Sequence, residues 1–170
     1  VTFTEPVALT TLAKPRVTID ARNFLKNVSA DGNYIATYKS ENQVSDGVSA
    51  TAWEVGVLQV DAKSAILVVR GLWADRLTEP QIAMSQKVSV TGVLQPSQST
   101  DRGPNSADNL ARVDSTLLLT KAGLSNFDLY DGFILANSEV VDGTKIDRTR
   151  LEISVDNSTV PGYYWQHISY

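Results

Sequence analysis

Alternation between hydrophobic and polar residues is the strongest pattern in this chain. From Val88 to Leu94 every second residue is apolar or glycine, and the residues between them are mostly polar. A period of two predicts a β-strand with one buried face and one mostly polar face. Trp53, Val55 and Val57 alternate in the same way, so we expect a second strand there.

A continuous apolar run follows this second strand and predicts a hairpin. Residues 65–69 read Ala-Ile-Leu-Val-Val, and a short polar stretch at 61–64 separates them from the alternating residues before it. We therefore expect a β-hairpin from Trp53 to Gly71. Further strands are predicted at 33–39, 132–137 and 151–155, with a weaker candidate at 17–21.

One short helix and one long loop are predicted in the second half of the chain. Asp114 is a suitable N-cap, the leucines at 117–119 supply an apolar side, and Gly123 can end the helix in the left-handed conformation. Residues 95–109 are rich in Pro, Ser, Gly, Asn and Asp, which favours a surface loop.

These elements predict the fold class. We expect a mainly β, mainly antiparallel domain, barrel-like or a sandwich, with one or two short helices. The predicted core includes Trp53, Val55, Ile66, Val68, Val88, Val90 and Leu94.

Composition narrows the function classes. With 170 residues, of which 42% are hydrophobic, the chain is expected to form a single domain over residues 1–170. The net charge of −4 and the lack of a Lys/Arg cluster argue against nucleic acid as a partner. No cysteine is present, which excludes disulfides, thiol catalysis and cysteine-based metal sites. No apolar run reaches the ~20 residues that span a bilayer.

Catalytic motifs are missing from the sequence. The chain has one histidine and no Gly-x-Ser-x-Gly motif, so a Ser-His-Asp triad is not expected. A carboxylate pair of the hydrolase type stays open, because a fold can bring two acids together. Four of the 19 acids, however, directly precede glycine, where turn formation is the better explanation. These pairs occur at 31–32, 46–47, 131–132 and 142–143.

Arg70 is the one charged residue at the end of the most apolar strand. A cation in that position must find a carboxylate, a backbone carbonyl or a ligand anion. Two interpretations follow: an internal salt bridge that stabilises the fold, or a clamp for an external anion, such as a haem propionate or an acidic group of a partner.

The last eight residues, 163–170, are unusually aromatic and contain the only histidine, His167. Tyr and Trp concentrate at membrane–water interfaces, so this end of the chain is expected to lead into a membrane helix. His167 would then be a neutral imidazole near headgroup level, able to bind a metal. The simpler interpretation is a solvent-exposed histidine without a role.

Four segments, taken in order, resemble a known family. They are Gly32-Asn33-Tyr34, the strand Ile66 to Gly71 with Trp73, the strand Val88 to Leu94 with Pro96, and the tail Gln166 to Tyr170. The resemblance is to the surfeit locus protein 1 family of cytochrome c oxidase assembly factors, in its actinobacterial form, and covers Gly32 to Tyr170. The family has Trp directly after Arg-Gly, whereas Leu72 intervenes here.

The resemblance implies a location and a function. Members carry one extracytoplasmic domain between two transmembrane helices of the plasma membrane. They take part, without being enzymes, in building the haem-a-containing oxidase, through haem a insertion or subunit maturation. The implied partners are the membrane, cytochrome c oxidase subunits and a respiratory supercomplex; the implied cofactor is haem a, held transiently.

The resemblance also implies site residues. His167, Tyr170 and Arg70 are the expected haem-binding residues, with His167 as the ligand of the haem iron. Trp73, Tyr164 and Trp165 are the expected partner-binding residues. Two other functions stay open: an accessory subunit resident in a respiratory complex that binds oxidase subunits without haem, and an extracytoplasmic hydrolase or carbohydrate-binding module.

Overall fold

A computed structural model describes residues 5–45, 48–76, 87–121 and 123–151. The strands are β1 (Val7–Ala8), β2 (Asn27–Ser45), β3 (Val48–Gln59), β4 (Ser64–Leu72), β5 (Lys87–Gln95), β6 (Asp128–Val141) and β7 (Thr144–Lys145). The helices are α1 (Leu9–Leu12) and three 3₁₀ helices, Ala21–Asn23, Trp73–Asp75 and Ser115–Thr120.

Five of the strands close into a ring in the order β2-β3-β4-β6-β5 and back to β2. Closure depends on the length of β2, whose residues 27–33 pair with β5 while residues 33–45 pair with β3. The predicted mainly β class is therefore confirmed.

Most strand pairs are antiparallel, as predicted, but β6 runs parallel to β4 and β1 runs parallel to β2. The chain that connects the parallel strands β4 and β6 covers residues 73–127 and includes β5, and it is long enough for the crossover that a parallel pair requires.

The interior of the ring holds one hydrophobic cluster with members from all five ring strands. Alternation places Ile66 and Val68 of β4 inside this cluster, together with Val90 of β5 and Ile134 of β6. Leu9, in α1, also packs against it. Of the predicted core residues, Ile66, Val68, Val88, Val90 and Leu94 are buried here. Val55 is buried in the second cluster instead, and Trp53 is only half-buried against that cluster.

A second hydrophobic cluster covers the outer face of β3, β4 and β6. Leu67 and Val69 of β4 pack there against Leu110, Val113 and Leu118 from the connection between β5 and β6. Both faces of β4 are therefore buried. This explains why its sequence is a continuous apolar run rather than an alternating one.

The predicted hairpin and two further predicted strands are confirmed. β3 and β4 pair antiparallel, and the Asp61 carboxylate accepts hydrogen bonds from the backbone N–H groups of Lys63 (2.9 Å) and Ser64 (2.8 Å) in the turn. Residues 33–39 lie within β2, and residues 132–137 lie within β6.

The strand predicted at 17–21 is wrong. Only Thr18 forms an isolated bridge, to Asp131, and a 3₁₀ helix begins at Ala21. The cause is local, because the Asp20 side chain caps that helix by accepting from Arg22 N. Of the strand predicted at 151–155, Leu151 is not in a strand, and 152–155 lie outside the described residues.

The predicted helix is present but is a 3₁₀ helix, Ser115–Thr120. Asp114 caps it as expected, accepting from Thr116 N at 3.0 Å. The helix ends at Lys121 in extended conformation, and Gly123 follows with a φ of +79°. Leu118 is fully buried and Leu117 packs, partly buried, against the second cluster, whereas Leu119 is 55% exposed. Two of the three leucines of the predicted apolar side therefore anchor the helix.

A buried arginine–glutamate cluster as the candidate functional site

Six polar side chains meet where β4 and β6 end, at the edge of the hydrophobic interior. We call them the charged cluster: Tyr34, Glu54, Arg70, Glu139, Arg148 and Arg150. Arg70 is 1% exposed, and the side chains of Glu54 and Glu139 are 2% and 0% exposed. Charged groups at this depth are uncommon and require partners, which the cluster supplies.

A β-bulge positions Arg70. The register between β3 and β4 shifts from Val55 opposite Val69 to Glu54 opposite Gly71, which leaves Arg70 as the extra residue. Bulges re-aim side chains and are common next to functional sites.

Glu139 is the centre of the cluster. Arg70 Nε donates to Glu139 Oε2 at 2.9 Å, and the Tyr34 hydroxyl donates to the same oxygen at 2.6 Å. The Arg70 guanidinium also lies 4.1 Å from the centre of the Tyr34 ring, a cation–π contact. Gly56 makes this stacking feasible, because a Cβ there would lie 2.6 Å from the Tyr34 ring.

Two arginines reach the cluster from an irregular segment after β7, residues 146–151, which we call the strap. Arg148 donates to Glu54 Oε1 at 2.6 Å and to the Leu72 carbonyl at 2.8 Å. Arg150 donates to Glu139 Oε1 at 2.5 Å and to the Arg70 carbonyl at 2.9 Å. The strap is thus held to β4 and β6 by charge-assisted hydrogen bonds, which are stronger than neutral ones.

Gly71 explains why glycine follows Arg70. Its φ is +151°, and a Cβ there would lie 2.8 Å from Arg148 Nε. A larger residue would push the Arg148 side chain away from Glu54. In the Arg-Gly pair, the arginine therefore supplies a side chain to the cluster, and the glycine leaves room for the strap.

The charges of the cluster stabilise one another. Burial raises the pKa of Glu139, but the charges of Arg70 and Arg150 outweigh burial, so its pKa lies below the ordinary value. Burial disfavours the charged form of Arg70, yet Tyr34 and the two glutamates raise its pKa. Burial, followed by the charge of Glu139, holds the pKa of Tyr34 well above 10. The carboxylate and guanidinium are therefore ionised while the phenol is neutral.

Four members of the cluster were not singled out from the sequence: Glu54, Glu139, Arg148 and Arg150. For Glu54 a signal existed, since it is an acid inside an alternating apolar strand and faces the same side as Gly56. The two strap arginines lie outside any strong pattern, and only the fold brings them to β4.

The residues predicted from the sequence divide into two groups. Arg70 forms the internal salt bridge that was one of its two interpretations. Trp73 is half-buried in the 3₁₀ helix after β4, with the Arg76 guanidinium 4.4 Å from the centre of its ring. Tyr164, Trp165, His167 and Tyr170 lie outside the described residues, so their roles stay predictions.

Metal-binding side chains form no cluster in the described part of the chain. The described residues contain no group of three or more His, Asp, Glu or Cys side chains that could hold a metal ion. The only histidine and the only methionine, His167 and Met84, fall outside the described ranges, and the chain has no cysteine. The expected role of His167 as ligand of the haem iron therefore stays a prediction.

An open cleft of about 500 Å³ is a second concave feature. Its lining combines Phe127 and Leu129 with hydroxyl groups and with Arg16, which pairs with Asp128 at 2.6 Å. This ion pair is exposed, in contrast to those of the charged cluster, so solvent screens it and its interaction energy is smaller.

Comparisons with known proteins add no constraint. No protein-family model, no curated protein and no solved structure matches the chain. Along the described parts of the chain, no helix has the length and apolar character needed to cross a membrane.

Proposed function

We propose that this chain is the extracytoplasmic domain of a non-enzymatic assembly factor for the haem-a-containing cytochrome c oxidase. In this proposal the domain sits at the plasma membrane, contacts oxidase subunits, and assists haem a insertion or subunit maturation. The closed ring serves as a barrel-like scaffold for the residues at the end of the chain.

The contact between Tyr34 and Arg70 is the observation that supports the proposal most. These residues belong to two separate segments of the resemblance, Gly-x-Tyr and Arg-Gly, and they stack at 4.1 Å and share Glu139. The third segment is adjacent, because Val88 pairs with Gly32 across β2 and β5. Contact between residues of two separate motifs supports the proposed resemblance more strongly than two similar strands that do not touch.

The charged cluster suggests a role for Arg70 that differs from haem contact. Because Arg70 is buried and already paired, it acts in this proposal as a positioning residue that holds the strap. The strap directly precedes residues 152–170, which contain His167 and Tyr170.

The test is genetic and spectroscopic and uses the full-length gene product. Deletion of the gene should lower the haem a absorbance of purified membranes together with their oxidase activity, and the wild-type gene should restore both. His167→Ala should fail to restore them, whereas the neighbouring Gln166→Ala should succeed. Normal oxidase in the deletion strain would reject the assembly function, and normal haem a with His167→Ala would remove His167 from it.

A second candidate function is an accessory subunit that binds oxidase subunits without haem. The observation in its favour is that Arg70 is occupied by Glu139 rather than free for a propionate. Quantifying the protein in purified oxidase separates the two candidates. An accessory subunit should be retained in equimolar amount, whereas an assembly factor should be substoichiometric.

A further inference from the structure

The open cleft of about 500 Å³ lies where three segments of the chain meet. Its lining comes from residues 16–18 before β2, from the 3₁₀ helix Ser115–Thr120 and from residues 127–131 at the start of β6. Arg16 N donates to the Leu129 carbonyl at 2.9 Å, which holds the first segment against β6. A volume of this size is typical of sites for small molecules, so the cleft can enclose much of such a ligand.

Four polar side chains of the cleft have no partner among the described residues. The hydroxyl groups of Thr18, Ser115 and Thr116 and the carboxylate of Asp131 form no hydrogen bond or ion pair there. Three of these residues are exposed, but Ser115 is only 6% exposed, and a hydroxyl group in so buried a residue normally has a partner. The cleft therefore offers hydrogen-bond donors and acceptors that the fold itself does not use.

The charges of the lining favour a neutral ligand over an anion. Arg16 is its cation, and Arg16 Nε already contacts Asp128 Oδ1 at 2.6 Å. Asp131 adds a second carboxylate, which would repel a phosphate or carboxylate ligand. A guanidinium has more N–H donors than one carboxylate can accept, so Arg16 can still donate to an uncharged oxygen.

Part of the lining is apolar. Phe127 and Leu129 pack against the second hydrophobic cluster on one side and remain half-exposed in the cleft, and Leu119 is 55% exposed beside them. A matching ligand therefore has an apolar face as well as several hydroxyl groups. A pyranose ring combines the two, because its C–H groups form apolar patches while its hydroxyl groups donate and accept hydrogen bonds.

We propose that this cleft is a binding site for a neutral saccharide. Phe127 and Leu129 contact the C–H face of a pyranose ring, and the Asp131 carboxylate accepts from its hydroxyl groups. The Ser115 and Thr116 hydroxyl groups exchange hydrogen bonds with the remaining sugar oxygens. This site is separate from the charged cluster, with which it shares no residue, and it is independent of the proposed oxidase function.

The experiment is a nuclear magnetic resonance titration of the ¹⁵N-labelled 170-residue chain. The probes are D-glucose, D-mannose, D-galactose, maltose and cellobiose, added singly. At least one of them should cause saturable shifts of backbone amide resonances that are concentrated at the cleft, for example at Ser115, Leu129 and Asp131. Sorbitol, an acyclic polyol without a ring face, and inorganic phosphate serve as the comparison ligands and should bind more weakly than that sugar.

Variants connect the binding to the cleft. Asp131→Ala should weaken it by about tenfold or more, since a hydrogen bond to a charged group is lost. Asp31→Ala is the matched control, because Asp31 is also an exposed strand residue but does not line the cleft, and it should bind as the wild type does. Thr116→Val, which keeps the side-chain shape and removes the hydroxyl, should also weaken binding and provides a second test if Asp131→Ala does not fold.

Three outcomes would overturn the proposal. The first is the absence of saturable shifts with all five sugars. The second is equal affinity of the wild type, Asp131→Ala and Thr116→Val for the sugar that binds. The third is binding of sorbitol or phosphate at least as tight as that of any sugar, since the cleft would then recognise hydroxyl groups in general or an anion.

Discussion

The two halves of the ring's interior are stabilised by opposite means. One half is apolar and is filled by residues such as Ile66, Val68 and Ile134, whose burial is favourable in any orientation that packs well. The other half is the charged cluster, in which each group depends on a specific partner at 2.5–2.9 Å. The apolar half therefore loses stability in proportion to the atoms removed, whereas the charged half fails when one partner is missing.

The largest difference should come from Glu139→Ala. This change removes the carboxylate that Arg70 and Arg150 contact and the acceptor of the Tyr34 hydroxyl. We therefore expect a loss of about 3–5 kcal/mol in the free energy of unfolding. Chemical denaturation followed by circular dichroism measures it. The matched control is Glu41→Ala, which breaks the exposed pair with Lys39 and should cost less than about 1 kcal/mol. Equal losses in the two variants would contradict the distinction between the halves.

Acid should weaken the charged half selectively. The pKa of Glu139 is lower in the folded protein than its ordinary value of 4.5, so below pH 4.5 the unfolded state binds more protons. The stabilisation from Glu139 is present above that pH and is lost as the pH falls through the folded-state pKa. Denaturation midpoints measured against pH should fall less steeply in Glu139→Gln than in the wild type. Parallel curves would show that Glu139 does not contribute.

The same contrast explains what could be predicted from the sequence. The pattern of apolar residues predicted the inward residues of β5 and the hairpin of β3 and β4. This was possible because burial of one face of a strand produces a periodic pattern within a single segment of sequence. The pairing that closes the ring has no such local pattern, since it joins residues 27–33 of β2 to β5, which is distant in the sequence. Of the cluster, only Arg70 and Tyr34 were singled out from the sequence, and nothing there indicated that they meet. The other members come from separate segments, and each, alone, is an ordinary charged residue.

Tyr34→Phe should have a smaller effect than Glu139→Ala. The variant keeps the ring beneath Arg70 but loses the 2.6 Å hydrogen bond to Glu139, and a hydrogen bond to a charged group contributes about 1.5–3 kcal/mol. Tyr38→Phe is the control, since the Tyr38 hydroxyl has no hydrogen bond in the described part of the chain, and it should change stability little. If Tyr34→Phe leaves the free energy of unfolding unchanged, the hydrogen bonds from the two arginines are sufficient for Glu139 without the phenol.

Ile66→Val should have the smallest effect and tests the apolar half. Ile66 is fully buried, and removal of one methylene from a core typically costs about 0.5–1.5 kcal/mol. This loss should be the same at neutral and acidic pH, because the change removes no charge and no hydrogen bond, in contrast to the variants of the charged cluster. Val17→Ala, at a 52% exposed position, is the control and should be nearly neutral. A loss for Ile66→Val as large as that for Glu139→Ala would show that the apolar half is also intolerant of single changes, and the contrast between the halves would then be withdrawn.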